Sequence, residues 1–168
     1  MTYRIEPLGD AHVVDPFDCG NAALNDWLKR HARNAAGQGT RTYVLVETGT
    51  GSVAGYFAVA PHLVERDVAP AHIGRGAPRQ IPAILLAKLA LDQHVQGKGL
   101  GAELLVRALE RIVKISKQAG GKLIVVDAVD DAAAAFYEHH DLERLHADPL
   151  RLVVKLSTVA KALGMEWP

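Results

Sequence analysis

From Leu86 to Gly101 the chain reads Leu-Ala-Lys-Leu-Ala-Leu-Asp-Gln-His-Val-Gln-Gly-Lys-Gly-Leu-Gly, an apolar run that passes through a glycine-rich turn into the start of an amphipathic helix. Consecutive backbone N–H groups at such a junction point outward with the positive end of a helix dipole behind them, which suits a pyrophosphate. A phosphate-bearing cofactor is therefore the first expectation. A dinucleotide fold needs G-x-G-x-x-G, but counting from Gly97 or Gly99 puts Ala102 or Leu104 where the third glycine belongs. A nucleoside-triphosphate loop needs Gly-Lys followed by Ser or Thr, and Gly97-Lys98 is followed by Gly99. The pattern that fits is [Q/R]-x-x-G-x-[G/A], filled by Gln96, Gly99 and Gly101. Taken alone, glycines placed only for a tight connection at positive φ remain the alternative.

A second chemistry-bearing stretch follows one helix and one strand later. Lys122 to Val126 is a short β-branched run, and Asp130 to His139 reads as a helix with acidic residues at its N-terminus. Here Asp130, Ala133 and Tyr137 fill N-x-x-A-x-x-x-Y with Asp in place of Asn. His139, His140 and His146 have poor spacing for a metal, an adjacent pair and one distant ring, so no metal is expected. The lone Cys19 lies far from both motifs and is read as structural.

The positioning elements alternate. Asn21 to Ala36 places Leu24, Trp27, Leu28, His31 and Ala35 on one helical face, with His31 packed there and Lys29, Arg30 and Arg33 pointing away. Arg41–Glu47 and Val53–Val59 flank Thr48-Gly49-Thr50-Gly51-Ser52, a hairpin signal. Pro61 to Pro82, with four prolines, reads as an irregular loop covering one edge. Ile84 to Leu91 is a buried strand, and Leu100 to Gln118 a helix ended by Gly120-Gly121. Leu150 to Leu156 and Thr158 to Leu163 complete the chain as strand and helix.

The composition suits one domain spanning 1–168, since 168 residues with 49% hydrophobic content can bury a core. No apolar stretch approaches the ~18 residues of a membrane span, so the expectation is a cytoplasmic protein with no membrane association. Net charge is zero, yet charges segregate: Lys29, Arg30, Arg33 and Arg41 have no acid among them, whereas Asp127 to Asp148 has only Arg144 against its acids. Basic runs of this kind are solvated helix surface or a nucleic-acid face.

The two motifs, in this order and separation, resemble those of the GNAT acetyltransferase superfamily. The resemblance implies an α/β (α+β) GNAT fold, with a single mixed central sheet whose middle strands splay, flanked by helices. It implies acetyl-CoA as cosubstrate, its pantetheine arm along Leu89, Ala90 and Leu91 and its pyrophosphate on Gln96, Gly97, Lys98, Gly99, Leu100 and Gly101. Asp130, Ala133 and Phe136 join the cofactor contacts, with a core role as the equal alternative for Phe136. Attack of an amine on the thioester builds an oxyanion and expels a thiolate, which benefits from a proton donor. Tyr137 is the candidate acid, because a phenol of reference pKa ~10 is protonated at neutral pH. After Glu138 the superfamily usually has Gly-Phe, whereas this chain has His139-His140-Asp141-Leu142.

Phe17 to Leu28, the basic helix end, Thr40 to Val46 and Arg79 to Leu91 resemble one GNAT branch, the bacterial toxins of type II toxin–antitoxin systems. That branch implies acetylation of the α-amine of the amino acid on charged tRNA, which blocks translation. It also implies neutralisation by a ribbon-helix-helix antitoxin, binding of operator DNA only through that antitoxin, and a homodimer. An aminoacyl ester lowers its own α-amine pKa below the ~7.7–8.0 of a chain terminus, so no dedicated base is required. Lys29, Arg30, Arg33, Arg41 and Arg79 are the candidate tRNA contacts. A GNAT enzyme acting on a small amine or protein N-terminus, and a non-catalytic module binding coenzyme A or a partner, are the alternatives at this point.

Overall fold

Alternating apolar residues make Tyr3–Pro7 (β1), Arg41–Glu47 (β2) and Val53–Glu65 (β3) an antiparallel meander, with β1 pairing to β2 from Tyr3↔Glu47 to Pro7↔Tyr43. In the computed structural model, which describes residues 2–168, two compact units are formed by Met1–Ala60 with Ala87–Ala108 and by Pro61–Leu86 with Leu109–Pro168. The strands belong to one mixed seven-stranded sheet of order β1-β2-β3-β4-β5-β7-β6, whose remaining members are Gln80–Leu91 (β4), Leu123–Asp127 (β5), Glu143–Arg144 (β6) and Arg151–Lys155 (β7).

In the first unit, Ala22–Asp26 (α1) begins at Asn21, whose side chain accepts the Leu24 N–H at 3.0 Å. The expected continuous helix is then interrupted. Trp27–His31 forms a π-helical turn, closed by the Ala32 N–H on the Trp27 carbonyl, before Ala32–Ala35 (α2). The inserted residue rotates everything after it, so Leu24, Leu28 and Ala32 are buried and His31 is turned out, its side chain 61% exposed. The packed position expected for His31 is thereby corrected. Phe17, Leu24, Leu28, Val44, Val46, Tyr56 and Ala90 form the core here. Tyr56 anchors it: its hydroxyl donates to the Leu24 carbonyl at 2.7 Å, Trp27 stacks on its ring and Phe17 meets it edge-on.

In the second unit the expected loop from Pro61 to Pro82 is also corrected. Strand β3 continues through Pro61 to Glu65, a short helix Ala71–Gly74 (α3) follows, and β4 starts at Gln80. Pro61 lies past the last β2–β3 pair, Arg41↔Val59, and Pro82 before the first β4–β5 pair, Ala83↔Leu123, so neither takes a donor out of those ladders. The core gathers Val64, Ile73, Ile81, Ala83, Leu123, Val125, Leu145 and Val153. The parallel β4–β5 ladder runs from Ala83↔Leu123 to Leu86↔Val126, so β4 residues 87–91 lie past its last pair.

The long helix Leu100–Ala119 (α4) buries Leu104, Leu105, Ala108, Ile112 and Val113 and stops at Gly120 and Gly121, both at positive φ. Asp131–His139 (α5) ends differently. The Leu142 N–H reaches the Tyr137 carbonyl and the Asp141 N–H the Glu138 carbonyl, a Schellman closure with Asp141 at φ 70° where glycine is usual. Leu156–Ala162 (α6) follows β7 directly. Among the described residues no helix is long and apolar enough to cross a membrane.

Candidate active site

The glycine-rich loop is built from the first unit alone. Leu89, Ala90 and Leu91 end β4, with Ala90 buried and the two leucines half-buried. Asp92 then makes a tight bracket: its carboxylate accepts the Asp18 N–H at 3.0 Å, the His94 N–H at 2.9 Å and the His94 ring nitrogen at 2.8 Å. Burial alone would raise this carboxyl, but those donors outweigh it and hold the pKa below its ordinary value. Gln93 N–H adds a bond to the Asp18 carbonyl, and Asp92 N–H one to Ala54.

Gln96 folds back on its own chain. Its amide donates to the Leu91 carbonyl at 2.8 Å and to the Cys19 carbonyl at 3.0 Å, tying the strand end to residues 18–20. Gly20 is required beneath it, at φ 88° and with a Cβ position 2.6 Å from Gln93 Nε2. Gly97 and Gly99 adopt φ of 77° and 76°, and a Cβ at either would meet nothing within 4 Å. Their role is conformational, leaving open space above the turn. The first hydrogen bond of α4 is Glu103 N–H to the Gly99 carbonyl, so the N–H groups before it are left for solvent or ligand. Leu100 opens the helix and is buried, Gly101 follows it in the first turn, and Lys98 is exposed. This is a cradle with backbone donors and room for an anion, which fits a pyrophosphate.

The second unit supplies the other motif. Asp130 caps α5, its Oδ1 accepting the Ala133 N–H at 2.8 Å. That oxygen is an acceptor satisfied within the helix end. Tyr137 is 5% exposed, and burial drives its phenol pKa upward, so the hydroxyl keeps its proton throughout the neutral range. Its carbonyl is held by the His140 and Leu142 N–H groups. Phe136 is half-buried and meets Tyr137 and His140 edge-on at 5.3 and 4.8 Å.

The candidate tRNA residues sort by what holds them. Arg33 donates to the Gly9 and His12 carbonyls, Arg41 to Ala36 and Thr40, and Arg30 pairs with Asp26 at 2.9 Å. Lys29 and Arg79 carry no ion pair among the described residues. Sequence reasoning missed Asp92 as the bracket of the loop, although an acid one residue past an apolar strand is a signal for a capped turn. It also missed Lys88, whose Nζ lies 5.7 Å from the Trp27 ring centroid. Cys19 is half-buried with its thiol pKa raised by burial, consistent with a structural part. Among the described residues no three His, Cys, Asp or Glu side chains group as a metal set.

Comparison with known proteins places these features among relatives. The chain is 36% identical over 158 residues to the tRNA-acetylating toxin of Mycobacterium tuberculosis, covering 94% of each. Among solved structures it is similar to a Tyr-to-Phe variant of the toxin KacT, with TM-score 0.88 and 28% identity over 96% of this chain and 99% of that one. It is equally similar to AtaT complexed with acetyl-methionyl-tRNA, with TM-score 0.87 and 27% identity over 96% and 99%. Further related structures hold AtaT with the C-terminus of its antitoxin AtaR and acetyl-CoA, and KacT with its antitoxin on DNA. No family model matches the chain.

Proposed function

The chain belongs to the family of tRNA-acetylating toxins within the GNAT acetyltransferases, and from that premise we propose that it moves the acetyl group of acetyl-CoA to the α-amine of the amino acid on charged tRNA, blocking translation. The observation that carries the reading is the 36% identity across 94% of both chains to a tRNA-acetylating toxin, since so complete a match leaves neither motif outside it. The physical support comes from each unit separately: an anion cradle with open glycines in one, and a buried, protonated phenol at the matching motif position in the other.

Acetyl-CoA supplies the thioester and its acetyl group. The backbone of Leu89, Ala90 and Leu91 pairs with the pantetheine amides, and the N–H groups of Gly97, Gly99, Leu100 and Gly101 receive the pyrophosphate, with Lys98 adding charge from the rim. Gln96 shapes that turn from beneath. Asp130 and Ala133 set the start of α5, and Phe136 packs beside the cofactor arm. Tyr137 holds its proton at Oη and delivers it to the departing sulfur as the C–S bond breaks, then recovers one from the acylated nitrogen, so that the amine proton ends on the thiol. The aminoacyl ester keeps much of its α-amine neutral, and the reaction needs no carboxylate base. Lys29, Arg30, Arg33, Arg41 and Arg79 face the tRNA phosphates.

The whole chain acts as one acetyltransferase domain in the cytoplasm. A ribbon-helix-helix antitoxin neutralises it, operator DNA is bound through that antitoxin, and the toxin is a homodimer. The test is transfer of labelled acetyl from acetyl-CoA to a mixed pool of charged tRNA by wild type and Tyr137→Phe. Label in RNA that the variant loses supports the reading. Cofactor binding with no labelled RNA rejects it and redirects the search to small amines and protein N-termini.

A further inference from the structure

In the second unit, the apolar face of three strands ends in a polar row. Val125 on β5, Val153 on β7 and Val64 on β3 belong to one buried cluster, and two residues along each strand, on the same face, stand Asp127, Arg151 and His62. Asp127 and Arg151 are direct partners across the β5–β7 ladder. The Arg151 guanidinium grips Asp127 with both arms, Nε to Oδ1 at 2.8 Å and Nη2 to Oδ2 at 2.9 Å. Its remaining nitrogen, Nη1, lies 2.9 Å from His62 Nε2. All three side chains are half-buried.

The arginine fixes the tautomer of the histidine. A guanidinium is always protonated and only donates, so His62 Nε2 must present its lone pair and the ring proton must sit on Nδ1. Burial first, and the Arg151 charge second, hold the imidazole pKa below its ordinary value, so this neutral tautomer persists at neutral pH. With Nε2 occupied and Nδ1 protonated, His62 has no lone pair left to act as a base. What it has is one oriented N–H that no group among the described residues receives. Asp127 is also the first β5 residue past the last β4–β5 pair, Leu86↔Val126.

We propose that His62 Nδ1–H is a substrate-binding donor for the ester carbonyl of the aminoacyl end of tRNA, with Arg151 and Asp127 as the positioning residues that fix its tautomer. The inference rests on the proposed reading of the acceptor. A donor on that carbonyl orients the α-amine and draws electron density from it, favouring the unprotonated, attacking form.

The experiment measures acetyl transfer to charged tRNA by wild type, His62→Ala, His62→Asn and Arg151→Lys, with KM determined separately for charged tRNA and for acetyl-CoA. His62→Ala is expected to raise the KM for charged tRNA on the order of 3- to 10-fold, the worth of one neutral hydrogen bond, with the KM for acetyl-CoA unmoved. His62→Asn, whose Nδ2–H stands where Nδ1–H stood, restores most of the loss. Ring ¹⁵N shifts of the wild type should report the Nδ1–H tautomer at pH 7, and Arg151→Lys should release it to a mixture. An unchanged KM for charged tRNA in His62→Ala overturns the inference, as does an equal rise for both substrates or an Nε2–H tautomer in the wild type. Failure of the wild type to acetylate charged tRNA overturns the functional reading instead, and the inference falls with it.

Discussion

Replacing Asp92 by alanine should loosen the cofactor loop without touching any group assigned to the chemistry. The carboxylate is 12% exposed and takes two backbone N–H groups, from Asp18 and His94, together with the His94 ring. Deleting it leaves both N–H groups without their partner. At 1–3 kcal/mol for each unsatisfied donor, discounted because solvent reaches part of the turn, the loss is about 2–4 kcal/mol. For a chain of this length each kcal/mol moves the melting temperature by roughly 2–4 °C, so Asp92→Ala should melt about 4–16 °C lower. Asp92→Asn, which keeps one acceptor oxygen, should fall between. The functional arm is kinetic: residues 96–101 hang from this bracket, so the KM for acetyl-CoA should rise several-fold in Asp92→Ala while the KM for charged tRNA stays near the wild-type value. Calorimetry and initial rates on the same preparation test both. A variant that melts within a degree of wild type and binds acetyl-CoA equally well would refute the bracket and the reasoning built on it.

Tyr137→Phe should lower the rate of transfer about 10²- to 10⁴-fold with acetyl-CoA binding retained, read by single-turnover labelling and by calorimetric titration. Asp141→Gly should stabilise the fold by about 0.5–1 kcal/mol, because it relieves a side chain at φ 70°, and chemical denaturation measures it. Among the basic residues, Lys29→Glu and Arg79→Glu should weaken tRNA binding and flatten its salt dependence at unchanged melting temperature, whereas Arg33→Glu should also lower the melting temperature through its lost carbonyl contacts. The depressed His62 pKa gives stability a pH slope: it is fully present above the ordinary value of 6.5 and declines as pH falls toward the folded-state pKa, so urea midpoints should drop in that window for wild type and not for His62→Ala.

The parts readable from sequence are those encoded locally. Gln96, Gly99 and Gly101 sit within one turn, and the positive φ at Gly97 and Gly99 follows from residue type. The acidic start of the helix at Asp130 was legible for the same reason, an acid just before a helical run, although its capping bond to Ala133 was not. Other features depend on geometry that spacing does not carry. A periodicity of 3.6 assumes an unbroken α-helix, so the π-helical turn at Trp27–His31 displaced His31 from the face expected for it. Prolines at 61 and 82 read as loop punctuation, yet both lie within strands, just beyond the ends of the β2–β3 and β4–β5 ladders. His62, Asp127 and Arg151 meet only through pairing of distant strands, and no local signal joins them.

The folded-back pose of Gln96 has a consequence for how such a toxin can be disarmed. Its amide is spent on two carbonyls of its own chain, and the anion cradle is made of peptide N–H groups that every amino acid possesses. Substitution of surface side chains around the loop therefore removes little of the grip on a phosphate. Cells selected to survive expression of this chain would be expected to carry lesions that change backbone shape, at Gly20, Gly97 or Gly99, in preference to lesions at Lys98. The spectrum of survivors would then map the conformational skeleton of the loop and leave its surface nearly blank.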